Sequence, residues 1–393
     1  MARDIETDVV VVGAGIAGCA SALALRREGL RVVLVEKASG QPHRFCGEFV
    51  SGEALGFLST LGVSEDVAKL GPNRVQRMAL YPMNGAPFGM DLGNEGFGLS
   101  RRSLDAAILG QAVHLGVEYI EGTSVEGITG DPRSGYAALT RDKQGNRPTI
   151  RARAAVGAHG KRSALDRLLG RRFVNHGSPF VGVKCHYQGT DRGRDVELYL
   201  FPGGYCGFVG IEGGRTNLCM LATQRSLEAN GGRPEGLIEA ARKGNLHLAG
   251  WFGQTQAVAD TLMVISQIPF VTKEQVVNGV FMVGDSAGLP APFLGLGVAT
   301  GLCSAIQCAE IMAGWLHGRN SFDTACSDYE TWWRTQFAGT HKWGHRISQL
   351  LCRPLAGELA LRALHGFPSI GEKIYRRSRA GSGPKQEWAG AER

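Results

Sequence analysis

The sequence lacks several features that define other classes of protein. It has no run of eighteen or more uninterrupted apolar residues, so we expect no membrane-spanning helix. Charged residues between positions 3 and 8 directly precede the first hydrophobic run and leave no room for a signal peptide. The nine cysteines form no Cys-x-x-Cys pair and no zinc-binding spacing, so we expect reduced thiols and no metal site. These absences favour a cytoplasmic protein, with peripheral membrane contact left open.

The positive charge of the chain is concentrated near its C-terminus. The formal net charge is +7, and from Thr331 onward eleven Lys and Arg residues stand against four Glu. Four of the six tryptophans lie in the same segment, at positions 332, 333, 343 and 388. Two interpretations are open: a solvated helical appendage, or a basic amphipathic surface that contacts an anionic membrane or an acidic carrier protein. Nucleic acid is not expected as a partner, because no basic stretch is interleaved with stacking aromatics.

A glycine-rich run near the N-terminus predicts a dinucleotide site. Four consecutive valines (9–12) suit a buried parallel strand. Gly13 permits the tight turn, Gly15 lets the backbone approach a pyrophosphate, and Gly18 lets the following helix pack closely on the strand. Glu36 ends the second predicted strand, about twenty residues further on, where a carboxylate accepts hydrogen bonds from a ribose hydroxyl. An acidic group there disfavours NADP, whose 2′-phosphate it would repel.

The order of predicted elements indicates an α/β fold with a discontinuous Rossmann-type domain. A β-rich substrate domain is inserted into it, and a helical segment follows. The predicted boundaries are residues 1–75, 100–175 and 275–320 for the dinucleotide domain, 76–99 and 176–274 for the β-rich domain, and 321–393 for the basic C-terminal segment. One hydrophobic strand is expected over 276–284 and a long helix over 297–316. Aromatic residues between positions 201 and 208 suggest an apolar pocket in the β-rich domain.

A second motif lies far along the chain. Val283-Gly284-Asp285 is followed by Pro292, Gly295 and Gly297. This pattern resembles the second FAD motif of the para-hydroxybenzoate hydroxylase-like superfamily, which contains class A flavin monooxygenases and geranylgeranyl reductases. The resemblance implies that Asp285 binds a ribityl hydroxyl and that the Gly295–Gly297 turn directs a helix N-terminus at the flavin. With the first motif, it identifies FAD as the expected cofactor.

Further residues match this superfamily. Residues 100–105 resemble its Arg-x-x-Leu-Asp motif, which implies that Arg101 lies near the FAD. The loop after Glu36 places Arg44 where it could hold the pyrophosphate, and makes Cys46 and Glu48 the candidate catalytic residues. Cys46-Gly47 is similar to the corresponding loop of geranylgeranyl reductases.

One stretch departs from the superfamily. Residues 156–167 resemble the Ala-Asp-Gly-x-x-Ser-x-x-Arg stretch of class A monooxygenases, except that His159 stands in place of the Asp. We expect His159 to form structural hydrogen bonds. The departure weakens any inference about how a nicotinamide would dock.

The resemblance leaves three functions open. The favoured one is an FAD-dependent monooxygenase that hydroxylates or epoxidises an apolar aromatic, polyketide or isoprenoid-like molecule, using O₂ and NAD(P)H as a transient electron donor. The second is a flavin-dependent C=C reductase of the geranylgeranyl type, and the third is a non-catalytic flavin-binding adaptor at a membrane or carrier. Halogenation is disfavoured because the Trp-x-Trp-x-Ile-Pro element of flavin halogenases is missing from the sequence.

Overall fold

The chain folds into two β-sheets and the helices that pack on them; the computed structural model describes residues 4–189, 193–366 and 368–378. Within these residues the strands are β1 (Ile5–Val12), β2 (Val32–Val35), β3 (Phe49–Val50), β4 (Asn73–Tyr81), β5 (Phe88–Gly98), β6 (Glu118–Ile120), β7 (Thr123–Asp131), β8 (Gly135–Asp142), β9 (Thr149–Gly157), β10 (Phe180–Gln188), β11 (Asp195–Phe201), β12 (Gly204–Ile211), β13 (Arg215–Thr223), β14 (Gln256–Ala257), β15 (Met263–Ser266), β16 (Val276–Val277) and β17 (Val280–Met282). The α-helices are α1 (Ile16–Arg27), α2 (Glu53–Thr60), α3 (Ser64–Lys69), α4 (Arg101–His114), α5 (Ala164–Leu168), α6 (Gln224–Ala229), α7 (Pro234–Gly244), α8 (Ala249–Phe252), α9 (Gly297–Leu316), α10 (Phe322–Leu351), α11 (Pro354–Gly366) and α12 (Pro368–Ser378).

The first sheet has the parallel core that the glycine-rich run predicts. Its order is β16-β17-β9-β1-β2-β6, and β1 pairs in parallel with both β2 and β9. The four valines of β1 are at most 7% exposed, because the strand is covered on both faces. The helices α1, α4 and α9 pack together on this sheet. The predicted α/β fold class is confirmed.

Residues 276–284 form a hairpin, whereas one continuous strand was expected. The strands β16 and β17 pair antiparallel and are joined by Asn278 and Gly279, with φ values of 50° and 77°. Asn-Gly favours this left-handed backbone and is a strong signal for a two-residue hairpin turn. The hairpin still delivers the Gly284-Asp285 pair to the carboxyl end of the parallel sheet.

The two faces of the second sheet differ, because successive side chains of each strand point to opposite faces. Its order is β14-β10-β13-β12-β11-β4-β5-β3, with β15 also paired to β10. On β10, Val183 and Cys185 pack with Leu237 of α7 in an apolar cluster. The intervening Lys184 and His186 lie on the other face, which meets the loop before β3. Residues 76–99 and 176–274, predicted as the β-rich domain, supply most strands of this sheet; the exact domain boundaries stay a prediction.

The predicted C-terminal segment begins with three helices. The long helix α10 packs on α9, while α11 and α12 pack on the second sheet. Residues 379–393, which include Trp388, lie outside the described residues. Among the residues described, no helix is both long enough and apolar enough to cross a bilayer.

Candidate active site

The loop between β1 and α1 is shaped by its glycines. A Cβ on Gly13, whose φ is +104°, would lie 2.6 Å from the Ala158 carbonyl oxygen, and one on Gly18 would lie 1.7 Å from the Gly13 carbonyl oxygen. Gly15 is the N-cap of α1 and makes no side-chain cap hydrogen bond. The first N–H groups of this helix are therefore available to an anion, and the helix dipole favours a negative charge there.

Glu36 closes this loop from the end of β2. Its Oε2 accepts hydrogen bonds from the Ala14 N–H and from Arg44 Nη2, both at 2.9 Å, and its Oε1 accepts from the Ala38 N–H at 3.0 Å. Burial alone would raise the pKa of Glu36, but the Ala38 N–H and the charge of Arg44 lower it below its usual value. A buried, ionised acceptor thus stands where a ribose would bind.

Two arginines meet beneath Gly15. Arg44 Nε lies 3.0 Å from Asp105 Oδ2, and Arg101 forms a bidentate pair with the same carboxylate, both contacts being 2.9 Å. Both guanidinium groups lie 3.7–3.8 Å from where a Cβ on Gly15 would be. Burial opposes the charge of Arg101, but Asp105 raises its pKa above the ordinary value. The arginines hold positive charge at the loop where a pyrophosphate would bind.

The second motif approaches the same space from β17. Asp285 Oδ2 lies 3.6 Å from Lys161 Nζ. Pro292 begins a short turn that ends at Gly295, with φ +65°, and Gly297 opens α9 with nothing within 4 Å of its Cβ position. The N-cap of α9, Leu296, offers no side-chain hydrogen bond. A second uncapped helix N-terminus is therefore directed into the site.

These residues surround one cavity of about 550 Å³. Nine of the ten predicted cofactor-binding residues line this cavity, and Cys46 lines it as well. The tenth, Gly18, lies beneath the loop between β1 and α1. Another cavity, of about 630 Å³, lies at the opposite end of the parallel strands, near Glu6 and Arg31, and includes none of the predicted site residues. Ligands of open α/β sheets bind at the carboxyl ends of the strands, which favours the first cavity.

The part of this cavity against the second sheet is apolar, and we call it the apolar chamber. Its walls come from β4, β11, β12, β13, β15 and the segments beside α9. They comprise Met78, Val196, Leu198, Tyr205, Gly207, Cys219, Leu221, Met263, Ile265, Ile268, Leu289 and Phe293. Of the aromatics suspected from the sequence, Tyr205 lines the chamber, whereas the rings of Phe201 and Phe208 pack on the other face of the sheet.

Cys46 lies where the chamber meets the cofactor part of the cavity. Its Sγ accepts a hydrogen bond from the Glu48 N–H at 3.4 Å and also from the Arg101 guanidinium. Because both neighbours are donors, the thiol proton is free to point into the cavity that Cys46 lines.

Glu48 lies behind Cys46, outside the cavity wall, in a cluster that the sequence analysis missed. Its Oε1 accepts from Lys184 Nζ at 2.5 Å and from the Arg101 N–H at 2.9 Å, and its Oε2 lies 2.6 Å from His186 Nε2. The side chains of Glu48, Lys184 and His186 are fully buried. Burial would raise the pKa of Glu48, but the hydrogen bond with His186 and the charge of Lys184 lower it. We call these three residues the Glu48 cluster.

The Glu48 cluster fixes the loop that carries Cys46. Lys184 Nζ also donates to the Arg44 carbonyl at 3.0 Å, and Asn217 Nδ2 donates to the Gly47 carbonyl at 2.7 Å. Glu48 itself has a φ of 58°, in the left-handed region that is costly for a residue with a side chain. The second sheet therefore holds this loop through buried polar contacts.

His159 has the structural environment that was expected for it. Its Nε2 lies 2.9 Å from Asp166 Oδ1, and the same oxygen accepts from Arg171 Nη1 at 2.9 Å. A nearby residue missed in the sequence is Lys273, whose Nζ donates to the carbonyls of Lys161 and Asp285, both at 2.7 Å. Burial, with the charge of Arg171, lowers the pKa of Lys273 to about 7.

The comparison with protein families decides the class. The FAD binding domain family matches residues 6–330. The chain belongs to this family. The match confirms the resemblance inferred from the two motifs and supports FAD as the cofactor.

Relatives of this FAD-binding protein cover nearly its whole length. It is 25% identical over 362 residues to digeranylgeranylglycerophospholipid reductase 2 of Methanopyrus kandleri, covering 88% of this chain and 87% of that protein. It is 27% identical over 394 residues to menaquinone reductase of Mycolicibacterium smegmatis, covering 91% and 88%. The structure of a flavin-dependent brominase, Bmp2, aligns with a TM-score of 0.80 at 19% identity, covering 96% of this chain and 94% of that one. The last likeness shows the fold alone.

The residues present fit FAD. The glycine loop leaves open space beside two arginines, an ionised Glu36 stands at the ribose position, and a second helix N-terminus faces the far part of the cavity. Side chains in place of Gly13 or Gly18 would collide with backbone, so the sequence keeps the space that a pyrophosphate needs.

Proposed function

We propose that this protein is an FAD-dependent reductase that saturates a carbon–carbon double bond of an isoprenoid-like substrate. The observation that carries the proposal is the apolar chamber with the Cys46 thiol at its junction with the cofactor part of the cavity. Two relatives that cover most of the chain are named as reductases of a digeranylgeranyl lipid and of menaquinone, which supports the same reaction class.

In this proposal FAD is held by the predicted residues. Gly13, Gly15 and Gly18 shape the pyrophosphate site with Arg44 and Arg101, and Glu36 binds the adenosine ribose. Asp285 binds the ribityl chain, while Pro292, Gly295 and Gly297 direct α9 at the flavin. NAD(P)H remains the proposed electron donor, docking transiently.

Cys46 supplies the proton that the reduction requires. Reduced FAD, when bound, supplies a hydride to one alkene carbon. Cys46 donates its proton to the neighbouring carbon, and the thiolate takes a proton back from water after the product leaves. The Glu48 N–H and the Arg101 guanidinium hold the sulfur in place at the cavity wall. Glu48 is then a positioning residue, because its carboxylate does not reach the cavity.

A monooxygenase is the second candidate. The Arg101 motif and the Asp285 motif resemble those of class A monooxygenases, and the apolar chamber excludes water, as oxygen transfer to an alkene or aromatic ring requires. Halogenation is not proposed, since the tryptophan motif of flavin halogenases is missing from the sequence. A non-catalytic adaptor would bind reducible FAD without turnover.

The deciding experiment is a single turnover with chemically reduced holoenzyme, using a geranylgeranyl lipid or menaquinone as probe. The reductase should form a product two hydrogens heavier in the strict absence of O₂. A product formed only under ¹⁸O₂ and carrying one labelled oxygen would overturn the reductase in favour of the monooxygenase. Lack of any product with full FAD content would favour the adaptor. Gly15→Glu, which fills the pyrophosphate site, is the control without FAD.

Cys46→Ala tests the proton donor separately. We expect product formation to fall by roughly 10²–10⁴-fold, the usual contribution of a general acid. FAD content and the rate of flavin reduction by NAD(P)H should stay unchanged. Undiminished product formation by Cys46→Ala would remove Cys46 from the mechanism without touching the reaction class.

A further inference from the structure

Exposed apolar side chains are concentrated on the C-terminal helices. Among the described residues, five of the eleven large exposed hydrophobic side chains fall between positions 343 and 370. They are Trp343 (48% exposed), Leu350 (39%), Leu355 (81%), Leu359 (66%) and Ile370 (48%). Leu350 lies in the last turn of α10, Leu355 and Leu359 lie one turn apart on α11, and Ile370 lies in the first turn of α12, so these side chains follow two successive helix junctions. Exposed apolar groups gathered in this way mark an interaction site.

Positive charge surrounds the same corners. Lys342, Arg346, Arg353 and Lys373 are exposed, and none of them forms an ion pair with another described residue. Residues 342–378 contain seven Lys and Arg against two Glu. Of those two, Glu358 is turned inward, where its Oε2 accepts from the Met83 N–H at 2.8 Å. We call the five apolar and four basic side chains the C-terminal surface.

The opposite side of these helices covers the apolar chamber. A Cβ on Gly357 of α11 would lie 3.2 Å from Leu200 Cδ1 on β11. Cys352 and Leu361 are buried in one apolar cluster with Leu198, Tyr205 and Leu221, and these last three line the chamber. A single layer of helix therefore separates the C-terminal surface from the chamber wall.

We propose that the C-terminal surface docks on an anionic lipid bilayer and that the substrate enters the chamber from that bilayer. Protruding leucines with a tryptophan and a rim of basic groups are the chemistry that inserts into a headgroup layer and attracts anionic lipids. The second half of the proposal rests on the proposed isoprenoid-like substrate, which resides in membranes because it is apolar.

The test is co-sedimentation of the holoenzyme with vesicles. Vesicles of phosphatidylcholine with about 40% phosphatidylglycerol, which are strongly anionic, are compared with vesicles of pure phosphatidylcholine. We expect binding to the anionic vesicles, weakened by salt. The double substitution Leu355→Asp, Leu359→Asp should reduce binding by at least roughly tenfold, and Arg346→Glu, Arg353→Glu by a similar factor at low salt. The matched controls are Leu168→Asp, at a leucine 58% exposed on α5, and Lys143→Glu; both should bind like the wild type.

Four outcomes would overturn the docking proposal. The first is failure of the wild type to bind either vesicle, and the second is equal loss of binding in the control variants. The third is light scattering that shows Leu355→Asp, Leu359→Asp converting a dimer to a monomer while the wild type does not bind vesicles. Preferential binding to an acidic carrier protein instead of vesicles would also overturn it. Unchanged FAD content and circular dichroism exclude misfolding of the variants.

Activity separates this proposal from the proposed function. With a short, soluble isoprenoid the Leu355→Asp, Leu359→Asp protein should turn over like the wild type, and with the substrate embedded in vesicles it should be slower by a factor close to its loss of binding. Equal rates on embedded substrate would contradict substrate entry from the bilayer. If the wild type turned over neither form, the proposed function would fail while vesicle binding would still decide the docking.

Discussion

The two parts of the cavity have different walls. The wall of the cofactor part, around Gly13, Gly15 and Gly297, is formed by backbone, whereas the wall of the apolar chamber, around Leu198 and Leu221, is formed by side chains. The cofactor part lies at the carboxyl ends of parallel strands, where two helices present uncapped N–H groups and ionised residues. The apolar chamber lies on one face of a largely antiparallel sheet, where every second residue of several strands contributes. The shape of the first part is therefore set by backbone and suits an anionic cofactor, whereas the second part can change its ligand through single side chains.

The Glu48 cluster joins the two parts, so breaking it should have the largest effect. Lys184→Met would leave the Glu48 carboxylate buried without its cation, which costs about 3–5 kcal/mol of stability. In the wild type the pKa of Glu48 lies below its usual 4.5, so the stabilisation is present above that pH and is lost as pH falls through the lower, folded-state pKa. In Lys184→Met we expect the pKa of Glu48 to rise, because the carboxylate has lost its cation. Protonation of Glu48 then relieves the buried charge, so the deficit in the free energy of unfolding relative to the wild type should shrink as the pH falls from 7.5 to 5.

Denaturant unfolding of the wild type and of Lys184→Met at pH 7.5 and pH 5 measures this difference in the free energy of unfolding. The control Lys243→Met removes a lysine that pairs with Glu239 but is 72% exposed, and should change stability by less than about 0.5 kcal/mol. A deficit in Lys184→Met that does not depend on pH would mean that packing, and not the buried charge, is what the substitution removes.

The cofactor part was predictable because each of its two motifs is a short, continuous stretch of sequence. Gly13, Gly15 and Gly18 act within one loop, and their spacing alone implies the strand, turn and helix. Lys184 and His186 lie 136 and 138 residues from Glu48, and only the pairing of β10 in the second sheet brings them together. A signal was present, since two basic residues at alternate positions of an otherwise apolar strand must find a buried partner.

The same contrast explains the smaller differences. The hairpin of β16 and β17 follows from Asn278-Gly279, a local signal that the hydrophobic run around it concealed. The chamber walls carry no motif, because apolar residues two apart on a strand occur in any half-buried sheet. Which of them face the cofactor depends on sheet order, which the sequence does not state.

Gly18→Ala tests the backbone-walled part. The new Cβ would lie 1.7 Å from the Gly13 carbonyl oxygen, so the loop must shift. Overpacking of about 1–3 kcal/mol corresponds to FAD binding roughly 5- to 150-fold weaker, measured by titration of the apoprotein. Gly110→Ala is the matched control, a helical glycine with nothing within 4 Å of its Cβ position, and should leave FAD affinity unchanged. Equal affinity in both variants would show that the loop tolerates movement.

Gly207→Leu tests the side-chain-walled part and should have the smallest effect. Gly207 lines the chamber, and a Cβ there would meet Leu198 Cδ2 at 3.6 Å, an ordinary contact. The backbone therefore needs no adjustment, and the added side chain takes up space in the chamber. We expect FAD affinity to stay at the wild-type value and the KM for a long isoprenoid to rise roughly tenfold, the effect of about 1.4 kcal/mol. A short isoprenoid serves as the internal control, because it leaves room for the leucine; an equal rise in KM for both substrates would place the binding site elsewhere than in this chamber.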